Sequence, residues 1–148
     1  MAKMRKSIVG KRLGLGDSDE LVSNAIQITD PCVNATITVG DESTNVRAIT
    51  IQLEDATGTA VSEPTLVKLY VFSDATLQAL ATGGSTGIAI GTDGTILVTH
   101  TAKLIFEIMS EADGDIDLTW TDTGTESVVL GLVLPNGRIV TTAPFANA

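Results

Sequence analysis

The chain has 148 residues, 43% of them hydrophobic, 18% charged and only 3% aromatic. That is one domain with an aliphatic core, and it excludes wholesale disorder. A net charge of −9 argues against a body that coats nucleic acid. A single Cys and a single His leave little material for catalysis.

The charge is segregated along the chain. Lys3, Arg5, Lys6, Lys11 and Arg12 are five of the nine basic residues, and no acid precedes Asp17. The residues after Arg12 carry four basic and 18 acidic side chains, a net of −14. Three readings of a basic arm on an acidic body stand: a solvated tail, a phosphate-binding arm, and an arm docked on an acidic protein surface. Docking is the preferred reading. Gly10, Gly14 and Gly16 let such an arm bend close to another backbone. The start resembles the charged part of a signal peptide, but Lys11 and Arg12 interrupt the apolar stretch that should follow. No apolar run is long enough to span a membrane. The expectation is a soluble protein made in a cytoplasm, with no nucleic acid or membrane partner.

Asp17-Ser18-Asp19-Glu20 suits the cap of a short helical turn before Leu21. Cys32 excludes an intramolecular disulfide and reads as a small buried residue. Residues 1–32 are therefore an extended arm and linker, and 33–148 the folded domain. Asn34-Ala35-Thr36 fits a glycosylation sequon but is read as an ordinary strand triplet.

From Val33 the apolar residues alternate: Val33, Ala35, Ile37, Val39. A turn is expected at Gly40–Ser43. Val46 and Ala48, then Ile49, Ile51 and Leu53, form the second strand, with a phase slip read as a bulge at Ala48-Ile49. Leu66–Phe72 is the third, with Val67, Leu69 and Val71 on one face. Thr76–Ala81 reads as a helical turn or irregular loop. Short strands at Ile88–Ile90 and Ile96–Val98 flank Gly91–Gly94. Leu104, Phe106 and Ile108 mark another strand. Asp113-Gly114 is a hairpin signal, because both residues tolerate positive φ, and Ile116, Leu118 and Trp120 form the return strand. Val128 to Leu134 runs into Pro135-Asn136-Gly137, a further hairpin, and Ile139–Thr141 closes the chain. Short strands at this spacing predict an all-β, immunoglobulin-like antiparallel β-sandwich of about seven to nine strands. Trp120 is expected to be the largest core residue.

Catalytic motifs are absent: there is no G-x-S-x-G, P-loop or H-E-x-x-H. The loop Thr82–Gly87 lacks the Lys and following long helix of a phosphate cradle. His100 reads as a surface or interface residue. Glu111, Asp113, Asp115 and Asp117 invite a calcium reading, with Asp113, Asp115 and Asp117 as the candidate ligands. The spacing fails an EF-hand loop, so solvated acids are preferred and no metal or other cofactor is assigned.

Three stretches carry a resemblance: Val46–Gly58, Leu66–Asp74, and Leu132–Val140 together with the Gly-rich loop and Asp113-Gly114. Over about residues 45–142 the chain resembles small virion proteins of tailed phages, of the head decoration or cement type. The resemblance implies a non-enzymatic protein on the capsid surface, partnered by the major capsid protein. It also implies a homo-oligomer, with a trimer favoured. Lys3, Arg5, Lys6, Lys11 and Arg12 would then make the arm's charged contacts, and Ile8, Val9, Leu13 and Leu15 its apolar anchors. A phage neck, tail or baseplate component is the first alternative. A glycan- or receptor-binding module and a calcium-dependent adhesin domain follow.

Overall fold

The computed structural model describes residues 31–148. The arm residues, and the helical turn expected after Asp17, lie outside this range. Nine strands form: β1 (Asn34–Ser43), β2 (Val46–Glu54), β3 (Leu66–Phe72), β4 (Gly87–Ile90), β5 (Thr95–Thr101), β6 (Ile105–Met109), β7 (Asp115–Thr121), β8 (Val129–Val133) and β9 (Ile139–Thr141). No helix occurs among the described residues. The strands make a four-stranded sheet, β1-β2-β7-β4, and a five-stranded sheet, β5-β6-β3-β8-β9. Every pairing is antiparallel.

The strand order is that of an immunoglobulin-like sandwich. β1, β2, β7 and β4 stand as strands A, B, E and D, while β3, β8 and β9 stand as C, F and G. The β5–β6 hairpin is an addition, placed beyond β3. The two sheets bury their alternating aliphatic faces against each other. Ile49, Ile51, Leu53, Ile116 and Leu118 from one sheet meet Val67, Leu69, Ile108, Leu130 and Leu132 from the other, all at most 1% exposed. Trp120 is fully buried at one end of this core, as expected, with Phe145 edge-on to its ring at 6.5 Å. Cys32 is buried in the same cluster. Burial pushes its thiol up, away from the reactive thiolate form.

Several local expectations are corrected. Gly40–Ser43 is not a turn: β1 continues to Ser43, and the reversal is made by Thr44 and Asn45, both at positive φ. The bulge lies on β1 between Val39 and Glu42, not at Ala48-Ile49. β2 pairs β7 without a slip from Val46 to Gln52. Its inward series is Arg47, Ile49, Ile51, Leu53, so a charged residue holds a core-facing position. Arg47 is satisfied there by carbonyls: Nη1 donates to Gly40 O (2.9 Å), and Nε and Nη2 donate to Ala146 O (3.1 and 2.7 Å). Asp113-Gly114 forms a tight turn, but β6 and β7 belong to different sheets, so it does not close a hairpin. The chain changes layer there because β7 must fill the place between β2 and β4. Pro135-Asn136-Gly137 does close the β8–β9 hairpin, with Leu134 and Arg138 paired across it. Thr76–Ala81 is an irregular loop, held by the Asp74 carboxylate on the Thr76 amide.

The last residues form a strap over the Trp120 end. Phe145 pairs Val128, and Asn147 Nδ2 donates to Asn45 O (2.6 Å) and Asp122 O (2.9 Å). Asn147 is only 3% exposed.

Candidate functional site

Sequence alone singled out Asp113, Asp115 and Asp117. The structure assembles a different trio. Asp115 and Asp117 are two residues apart on β7, so both point to its outward face. Asp93, from the β4–β5 crossover, joins them, and one carboxylate oxygen from each lies within 4.8 Å of the others. Asp113 is excluded from the trio because it sits on the exposed turn before β7. Asp93 is brought in by the backbone: the Asp117 amide donates to Asp93 O (2.9 Å), and the Gly91 amide donates to Asp117 O (2.8 Å). The Thr92 hydroxyl hydrogen-bonds to the Asp117 carboxylate. Asp93 stands 22 residues before Asp115, and only the crossover between sheets makes them neighbours.

Three half-buried carboxylates repel one another. Burial, then Asp117, Asp93 and Asp113, push the Asp115 carboxyl above the ordinary range. Such a trio offers three oxygens, fewer than the six to eight that calcium takes, so water would have to complete any shell. The energetic consequence is direct. A carboxyl whose pKa is higher folded than unfolded holds its proton more readily in the native state, so its contribution to stability falls as pH rises above the usual value near ~4. Asp115→Asn is therefore expected to raise the melting temperature at pH 7, with the advantage vanishing below about pH 4. Equal or lower melting at pH 7 would contradict this.

The Gly-rich loop Thr82–Gly87 has an identified role. Its backbone amides face the protein's own carboxylates. Glu126 accepts from the Thr82 amide (2.5 Å), the Thr82 hydroxyl (2.8 Å) and the Gly84 amide (3.1 Å). Asp122 Oδ1 accepts from Ser85 and Gly124, each at 3.0 Å. Burial alone would raise the Glu126 carboxyl, but the Thr82 and glycine contacts outweigh it and hold it below the usual range. Lys103 closes the loop from the other side through Gly84 O and Ser85 O. Gly84 is at positive φ, and a Cβ there would lie 2.9 Å from the Trp120 ring. The amides that a phosphate would need are thus already occupied.

His100 is exposed, as expected, and its Nε2 lies 3.1 Å from Glu107 Oε1. Lys68 Nζ reaches the same oxygen at 3.2 Å. His100, then Lys68, hold the Glu107 carboxyl below its ordinary value. No sequence signal joined these three residues. β5, β6 and β3 place them side by side on the outer face of the five-stranded sheet.

The two outer faces differ in kind. On the four-stranded sheet Thr38, Thr50 and Asp117 lie in one cross-strand row, and Thr36, Gln52 and Asp115 in the next. On the five-stranded sheet the outer residues are largely apolar. Five large hydrophobic side chains stand exposed among the described residues: Leu66, Leu80, Leu97, Val98 and Ile139. Four lie on β3, β5 and β9, and Leu80 is bridged to Phe72 at the end of β3.

Neither a protein-family model nor a curated protein matches this sequence. Among solved structures, the chain is similar to a crystal structure of the human F-spondin reeler domain (fragment 2). The TM-score is 0.48 at 9% identity, covering 84% of this chain and 99% of that one.

Proposed function

We propose that this chain is a non-enzymatic virion structural protein, a decoration or cement protein that binds the outer capsid shell. In this reading the sandwich is the rigid body, and the basic arm docks on an acidic surface of a neighbouring subunit. The observation that carries the reading is the charge segregation: five basic residues within the first 12, followed by 136 residues of net −14. Opposite charges on one chain favour contact between the arm of one chain and the body of another. An arm that reaches a neighbour also gains effective concentration once its body is seated. The resemblance to phage head proteins supplies the partner, the major capsid protein.

The test is co-sedimentation of the full chain with capsid shells stripped of it. The companion variant carries Glu at positions 3, 5, 6, 11 and 12. Loss of binding in the variant, with salt weakening the parent, is the expected result. If both bind, the body rather than the arm makes the contact. If neither binds, the capsid reading fails and tails become the next partner to assay.

A further inference from the structure

The outer face of the five-stranded sheet is arranged in rows that read the same from a second copy. Register places Val98, Glu107, Lys68 and Val133 side by side across β5, β6, β3 and β8. The row above pairs Met109 with Leu66, and the row below pairs Ile105 with Tyr70. Lys68 and Glu107 form the charged centre, 3.2 Å apart. Consider a two-fold axis parallel to the strands, midway between β3 and β6. It lays each β3 over the other copy's β6. Lys68 then faces the partner's Glu107, Leu66 faces the partner's Met109, Tyr70 faces the partner's Ile105, and Val98 faces the partner's Val133. Each of these named residues meets a chemically suitable partner, which an isologous interface requires, while Ile139 of β9, next in the Lys68 row, lies beyond the partner's last strand.

We infer that this face is a self-association surface and that its occupant is a second copy of this chain, related by that two-fold axis. Charge complementarity selects the occupant. Residues 33–148 carry 14 acidic and four basic side chains, so two such bodies, each of net −10, repel overall, but this face carries a Lys–Glu pair and exposed aliphatics. The opposite face presents Asp115 and Asp117, which a second copy would meet with like charge. Edge-to-edge pairing through the five-stranded sheet is disfavoured. β5 departs from regular register twice, between Ile96 and Val98 and between Thr99 and Thr101, and β9 has only three residues. Gly131 on β8 makes room for an aromatic ring from β3. The Phe72 ring lies across it, and a Cβ at Gly131 would come within 2.6 Å of that ring. The inference does not depend on the capsid reading, because it is measured in solution without capsids.

The experiment is sedimentation velocity on the full chain over a wide concentration range, with Lys68→Glu, Glu107→Lys and their equimolar mixture. Each variant alone sets like charges against each other twice across the axis, and its association is expected to weaken about tenfold or more. The mixture restores both opposite-charge contacts between copies, while the internal Lys68–Glu107 pair stays broken in each chain. The expected result is a dimer for the parent, monomers for each variant alone, and a mixed dimer on combining them. Leu66→Arg, at a position already 42% exposed, is a second variant that should also be monomeric. A parent that stays monomeric, a parent trimer, variants that still dimerise alone, or a mixture that fails to associate would each overturn the inference.

Discussion

Trp120→Ala is expected to destabilise the protein by about 3–5 kcal/mol, the largest single loss in the molecule. Trp120 is fully buried and is the largest of the fully buried side chains. Its ring, carried by β7, lies against two separate parts of the chain: Gly84, where a Cβ would come within 2.9 Å of it, and Phe145, which meets it edge-on. Truncation opens a cavity, and it also removes the surface on which the Gly-rich loop and the C-terminal strap rest. A domain of this size is stable by only about 5–15 kcal/mol, so this one change removes a large fraction of the total. Trp120→Phe keeps much of the volume and should lose clearly less. Urea unfolding of both variants measures the difference. A midpoint for Trp120→Ala close to that of the parent would show that the end of the sandwich collapses around the gap.

The second large effect is expected from Arg47→Ala, at about 2–4 kcal/mol, the range for removing a charged donor from several partly buried acceptors. The guanidinium ties Gly40 O on β1 to Ala146 O in the strap, and Nε also lies 3.2 Å from Asn147 Oδ1. Removing it leaves these oxygens without their donor and frees the strap from β2. The loss should therefore be local as well as global. Amide exchange at Phe145–Ala148 should accelerate more than exchange in β3 or β8, which Arg47 does not touch. Arg47→Lys should recover only part of the stability, because an ammonium cannot span these acceptors as a planar fork does. Uniform acceleration across the whole sheet would argue that Arg47 acts through packing alone.

The strands were legible because the aliphatic alternation is regular. Val67, Leu69 and Val71, or Ile116, Leu118 and Trp120, announce an inward face without help from distant residues. Where the reading failed, a distant partner decided the outcome. Arg47 occupies an inward slot that a local pattern assigns to an apolar residue, so the local pattern puts Val46 and Ala48 in the inward series and implies a slip that does not exist on β2. Its justification lies 99 residues later, at Ala146. Asp113-Gly114 has the chemistry of a hairpin turn, and the turn does form. What local sequence does not encode is which sheet receives the next strand. Asp93 was missed for the same reason. It shares no motif with Asp115 and Asp117 and meets them only through the crossover. The row of Lys68, Glu107 and Val133 is likewise a product of register between strands far apart in sequence.

Arg47 also sets a schedule for synthesis. β2 leaves the ribosome with a charged side chain on its core-facing side, and a carbonyl that accepts two of its hydrogen bonds is made 99 residues later. At about 5–20 residues per second that interval is on the order of 5–20 s. Until then the Trp120 end of the nascent sandwich has no strap, and the apolar seam between the layers is exposed to other nascent chains. Closure of this end of the sandwich therefore waits until residues 145–147 have been made, and a nascent chain stalled before them is the form most exposed to misassembly.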